Sequence, residues 1–147
     1  MIKKIVTFAV LLGVFSSCST AFAETKVAVV DLQKVVNSSN QIKSLKKEQE
    51  SKKKELAQFI KKAGEEIKKQ PDLAKKKALA EKYDKELNAK REANAKSYKT
   101  KFEAADKSIS DTIQQQAKAL GYDVVFAKGV VLYGGTDITD AVLKVVK

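Results

Sequence analysis

The 147-residue chain carries 29 Lys+Arg against 18 Asp+Glu, a formal net charge of +11, with one cysteine, no histidine and no tryptophan. Without histidine there is no Ser–His or Cys–His nucleophile pair and no His-ligated metal, and one cysteine builds neither a zinc cage nor an internal disulfide. A hydrophobic fraction of 44% is too high for a disordered polyelectrolyte, and the length allows one domain.

Residues 1–23 have the layout of a secretory signal peptide. Lys3 and Lys4 form a basic start, Ile5 to Phe15 is an apolar run, and Ala21-Phe22-Ala23 is a small-x-small cleavage site. The run is too short to span a bilayer as a mature helix. Cleavage is expected after Ala23, so the mature chain is exported and begins at Glu24 without any cysteine. The competing reading is lipoprotein processing at Cys18, for which Phe15-Ser16-Ser17 is a poor lipobox.

Lys26-Val27-Ala28-Val29-Val30 is short, apolar and rich in β-branched residues, and predicts a strand. Asp31 can cap a short helix over Leu32–Val36, and Asn37-Ser38-Ser39-Asn40 is a turn with a second helix start. From Gln41 to Leu120 the chain is rich in Lys, Glu, Ala, Gln and Leu, the strong helix formers. The only proline, Pro71, divides this stretch into Gln41–Lys69 and Pro71–Leu120. A helical hairpin with its tip near Gln70–Asp72 is the natural join, and a kinked continuous helix is the alternative. The apolar stripes run Ile42, Leu45, Leu56, Ile60, Ala63, Ile67 and Leu79, Tyr83, Leu87, Tyr98, Phe102, Ala105, Ile109, Ile113, Ala117, Leu120. Gln49, Lys52, Lys53, Lys90 and Asn94 interrupt them, so the seam is thin and polar in places. At about 1.5 Å per residue the second helix reaches roughly 70 Å, too long to fold into a core of its own.

Gly121 closes the long helix. Tyr122–Ala127 predicts a strand, Lys128-Gly129 a turn, and Val130–Tyr133 the return strand of a hairpin; Thr136 to Asp140 supply caps for a last helix through Val146. The fold class is therefore α+β. A long helical hairpin, residues 41–120, protrudes from a small β body drawn from both chain ends, residues 24–40 and 121–147. Three short strands cannot close a sheet, so oligomerisation is expected to complete the body.

Between Lys43 and Lys107 stand 21 Lys+Arg and 12 Asp+Glu, whereas the rest of the mature chain holds six of each sign. The excess is nearly all lysine, since Arg91 is the only arginine. Lysine favours diffuse attraction to anions over bidentate readout of bases, so no specific nucleic-acid partner is expected. Asp31, Asp123, Asp137 and Asp140 could suggest paired catalytic carboxylates, but three of them sit at element starts, so capping is the better reading.

The leader, Lys-Val-Ala-Val-Val-Asp31, the lysine-rich helical middle and the block from Gly121-Tyr-Asp-Val-Val-Phe-Ala-Lys through Val130-Val131-Leu132-Tyr133, Asp137-Ile138-Thr139-Asp140 and Val142-Leu143-Lys144 resemble the Skp/OmpH family of periplasmic chaperones. The resemblance covers the whole mature chain. It implies a periplasmic homotrimer whose helical arms enclose a cavity for unfolded outer-membrane proteins, working without ATP or any cofactor. Candidate client contacts are Leu56, Phe59, Ile60, Ile67, Tyr83 and Tyr98, each of which could instead pack in the seam. A lipopolysaccharide site proposed for the family would fall nearest Lys75, Lys76, Lys77, Lys90 and Arg91, which could equally meet an anionic membrane surface. No catalytic or metal-binding residue is expected. The competing functions are an envelope protein that binds anionic polymers and a structural spacer anchored at Cys18.

Overall fold

The computed structural model describes residues 24–146. The signal-peptide reading, the Ala23 boundary and Cys18 lie outside the described residues. A strand that is paired on both edges and covered on both faces reads as one continuous apolar run. Strand β1 (Val27–Val30) is such a strand, with Ala28, Val29 and Val30 all buried. It is the middle of a three-stranded parallel sheet of order β2-β1-β3, in which β2 is Val124–Ala127 and β3 is Thr136–Asp137. Val27 lies beside Val124 and Val30 beside Ala127; on the other edge Ala28 lies beside Thr136 and Val29 beside Asp137.

Helix α1 (Leu32–Ser38) follows at once, capped by Asp31, whose carboxylate accepts from the Lys34 N–H at 3.0 Å. Ser39 is buried and caps α2 (Asn40–Lys69) by accepting from the Ile42 N–H. Asp72 caps α3 (Leu73–Ala119) by accepting from the Lys75 N–H at 2.8 Å. The cap is Asp72, so α3 starts two residues after Pro71 rather than on it.

Helices α2 and α3 pack side by side as a hairpin, and the kinked continuous helix is excluded. Gln41 faces Ser108, Glu48 faces Lys101, Phe59 faces Lys90 and Glu66 faces Tyr83. The steps along α2 between these pairs equal those along α3, so the helices keep one register from root to tip. At its far end α3 stops in a Schellman motif. The Tyr122 N–H donates to the Ala117 carbonyl at 2.9 Å and the Gly121 N–H to Lys118 at 3.1 Å, with Gly121 at φ 77°.

The expected hairpin between Tyr122–Ala127 and Val130–Tyr133 does not form. The chain leaves β2 through a 3₁₀ turn, Lys128–Val130, crosses to the opposite side of β1 and pairs there as β3. Asp137 at β3 holds the Lys128 ammonium at 2.7 Å, drawing the start of this crossing toward its end. Val130, Leu132 and Tyr133 stay exposed. Their β-branched and aromatic character suits a strand, yet they pair with no strand among the described residues. Helix α4 (Thr139–Leu143) ends before Val146; its first N–H is met by Asp137, which accepts from Thr139 at 2.9 Å.

The core sits where the sheet and the two short helices close over the root of the arm. Ala28, Val30, Val35, Ile138 and Val142 pack against Ile42 of α2 and against Ala105, Ile109, Ile113 and Ala117 of α3. Farther out, α2 has one more buried residue near the root, Leu45, and toward the tip only Ala63 is buried. Stability should therefore be unequal along the chain. Ile109→Ala should cost about 2–5 kcal/mol, whereas Leu87→Ala, at a half-buried mid-arm site, should cost much less; urea unfolding of both variants checks this.

Gly135 has a second, sharper requirement. It sits at φ 82°, and a Cβ there would come within 2.8 Å of the Val29 Cγ1. Gly135→Ala should destabilise the body by about 2 kcal/mol, combining left-handed strain with that clash, and a lowered thermal midpoint would register it.

Candidate binding surface of the arm

The apolar side chains of the arm divide into two environments. From mid-arm to tip, Leu56, Phe59, Ile67 and Tyr83 are half-buried. The rings of Phe59 and Tyr83 meet edge to face, with centroids 5.7 Å apart and planes at 76°. The Lys90 ammonium lies 5.2 Å from the centre of the Phe59 ring, a cation–π contact that covers it. The Tyr83 hydroxyl donates to Glu66, and that hydrogen bond raises the phenol above its ordinary pKa. Leu56, Phe59 and Lys90 also border a gap of only about 180 Å³. These four candidate contacts thus spend much of their surface on the seam.

The other two, Ile60 and Tyr98, face outward, 47% and 41% exposed. Tyr98 stacks on Phe102, with centroids 5.9 Å apart and planes at 20°. Phe102 is itself 44% exposed, and it is the binding candidate that the stripe pattern hid by assigning it to the seam. The signal available was its i, i+4 spacing from Tyr98 opposite the polar gap at Gln49 and Lys53, since a gap in one stripe leaves the facing aromatics uncovered. Around this pair opens a groove whose walls include Val36, Ile42 and Leu45.

The basic candidates do not form one cluster. Lys75, Lys76 and Lys77 lie in the first two turns of α3 next to the tip, with Lys75 and Lys77 exposed. Lys90 and Arg91 lie about 20 Å farther along the same helix by its rise. None of the five is in an ion pair among the described residues. The lysines nearer the root are partly neutralised, Lys101 by Glu48 at 2.6 Å and Lys52 by Glu55 at 2.8 Å.

The four aspartates do structural work in the body. Asp31 caps α1, and Asp123 accepts from the Lys26 N–H at 2.9 Å, tying the two chain ends. Asp140 stands in the first turn of α4, where an anion suits the helix dipole. Asp137 accepts from Lys128, from the Thr139 hydroxyl and from the Thr139 N–H. These hydrogen bonds, that of Lys128 foremost, hold its carboxyl well below the usual range. Among the described residues no group of acidic side chains and cysteine is arranged to hold a metal ion, and no helix is long and apolar enough to cross a membrane.

A root of buried strand and helix thus carries a basic hairpin with uncovered aromatic surface. The family model of outer membrane protein (OmpH-like) matches residues 26–146, and the chain belongs to that family. This is a family of chaperones for outer membrane proteins, and its members are periplasmic. A comparison with curated proteins finds none that matches.

The Asp137 bonds carry a pH signature. A carboxyl whose folded pKa is depressed adds stability above its unfolded value, near 3.8, and loses it as the pH falls below that value. Asp137→Asn should therefore lower the urea midpoint at pH 7. The gap from wild type should narrow below pH ~4, as parallel urea titrations at pH 7 and pH 3 would read.

Proposed function

We propose that this chain is an ATP-independent periplasmic holdase, which keeps unfolded outer-membrane β-barrel proteins from aggregating by holding them between the helical arms of a homo-oligomer. The observation that carries this reading is the arm itself. It is a long, net-positive surface bearing exposed apolar groups, and it has little core of its own. Such a surface attracts an unfolded chain with scattered apolar residues and carboxylates without a fixed fit. Family membership supports the same reading.

The oligomer is supported by the body. Both outer edges of the sheet are unpaired among the described residues, and exposed Val130, Leu132 and Tyr133 lie on the crossing between β2 and β3. Open strand edges beside exposed apolar side chains invite pairing with another copy, and three copies would give the homotrimer that the resemblance implies. Export follows from the leader, with the mature chain beginning at Glu24 after removal of residues 1–23.

The test is light scattering from a urea-unfolded outer-membrane barrel protein diluted into purified residues 24–147 without nucleotide. Aggregation should stop near one oligomer per client, and multi-angle scattering should give a mass of three subunits. Replacing Val130, Leu132 and Tyr133 together by alanine should reduce that mass toward one subunit. Intact mass spectrometry of the exported protein should find Glu24 first; an acylated Cys18 would overturn the leader reading.

The second reading, binding of an anionic polymer such as lipopolysaccharide, is favoured by the unpaired state of Lys75, Lys77 and Arg91. Unhindered client aggregation at low salt, together with lipopolysaccharide binding that falls steeply with salt, would replace the first reading by this one.

A further inference from the structure

Near the root of the arm α2 and α3 leave a groove between them of about 520 Å³, open on one side. Ile42 and Leu45, both buried, form its floor, and Val36 of α1 lines it from the body. Tyr98 and Phe102 form one wall, stacked on each other and each more than two-fifths exposed. Farther out, the Phe59–Tyr83 pair is half-buried in the seam, with Lys90 over Phe59; at the root nothing among the described residues covers the Tyr98–Phe102 pair to that degree. Uncovered aromatic surface beside an apolar floor is what a binding groove offers.

The mouth of the groove carries two cations, Lys46 and Lys53, against one anion, Glu50. Lys53 is in no ion pair among the described residues, and Lys46 spends one hydrogen bond on the Asn37 side chain at 3.3 Å. The size of the groove limits its occupant. Nine residues line it, against about 20–30 on each side of a stable protein–protein interface, so it suits a short segment rather than a second copy of this chain. Spacing points the same way. Tyr98 and Phe102 are one helical turn apart, about 6 Å, and alternate side chains of an extended strand are about 6.7 Å apart.

We propose that this groove is a subsite for an extended polypeptide segment, taking aromatic or branched apolar side chains from one face of the segment while carboxylates beside them meet Lys46 and Lys53. The proposal rests on the holdase reading and places its strongest apolar grip at the root of the arm. The mid-arm aromatics then serve mainly to hold the two helices together.

The experiment measures binding of a fluorescently labelled, urea-unfolded eight-stranded outer-membrane barrel protein to the mature chain. Tyr98→Ala/Phe102→Ala should weaken binding at least tenfold with helicity and oligomer mass unchanged. Tyr98→Phe/Phe102→Tyr, which keeps both rings, should stay within twofold of wild type. A photoreactive benzoylphenylalanine at position 102 should cross-link to the client, which keeps the test decisive even if the double alanine variant misfolds. Wild-type affinity from the double alanine variant, or no cross-link, overturns the subsite.

If wild type itself binds no client, the holdase reading falls, and two synthetic decapeptides of equal charge then decide the subsite. An alternating Phe–Asp peptide should bind and lose affinity in the Tyr98→Ala/Phe102→Ala variant. Equal binding of an alternating Ala–Asp peptide would make the attraction purely electrostatic and overturn the proposal.

Discussion

The body depends on β1, four residues long, which is hydrogen-bonded on both edges to chain from the far end of the sequence. The Lys26 carbonyl accepts from both Asp123 and Val124, the Val29 carbonyl accepts from Ile138, and the Asp31 N–H donates to the Thr139 hydroxyl. Lys26 and Asp123 are 97 positions apart, and closing a flexible loop of that size would cost about 4 kcal/mol plus a constant. The arm removes most of that cost. Once α2 and α3 zip together, Gln41 and Ser108 are already side by side, and only short segments remain to be placed. Arm and body therefore support each other: the hairpin delivers the two chain ends, and the sheet they form covers the apolar root of the hairpin.

This division explains why charge and burial are separated so sharply. The body holds the fully buried branched residues and a balanced set of charges, with Asp31, Asp123 and Asp137 occupied by backbone N–H groups and Lys128. The arm holds the whole excess of lysine, and its seam away from the root relies on half-buried side chains and a few cross-helix pairs such as Glu48–Lys101. Such exposed pairs contribute little individually. A stronger seam would need larger apolar residues at Gln49, Lys53, Lys90 and Asn94, and those at Gln49 and Lys53 would fill the groove beside Tyr98 and Phe102. Loose packing and an available surface are here the same property.

The helices and the tip were legible because each has a local cause: helix-forming composition, Asp31 as a cap, the turn at residues 37–40 as a helix start, and Pro71 as the break. The cap by Asp72 was not, because Pro71 itself suits a first helical turn, whereas the helix begins at Leu73. Strand β1 was legible because burial on both faces leaves an unbroken apolar run. The pairing of the C-terminal segment was not. Val130–Tyr133 has strand composition, and adjacency suggested a hairpin with Val124–Ala127, yet β1 takes one C-terminal strand on each edge and leaves the intervening residues outside the sheet. Composition reports how well a residue suits a pleated surface, not whether one is within reach. Candidate contacts were half legible for a related reason. A helical stripe marks the apolar residues, but which are covered depends on the residues opposite, and that sorted Phe59 and Tyr83 into the seam while leaving Tyr98 and Phe102 open.

The constant register between α2 and α3 has a geometric corollary. Pairs from Gln41–Ser108 near the root to Glu66–Tyr83 near the tip keep step without an extra residue on either side. Each helical turn of the arm is thus a repeatable layer stacked on the one beneath, and Gln70–Asp72 closes whichever layer comes last. Adding or deleting equal numbers of residues on the two sides of that closure, in whole turns, changes the reach of the arm and leaves the root, the sheet and the crossing loop untouched. The reach of the arm is therefore adjustable independently of the fold that anchors it.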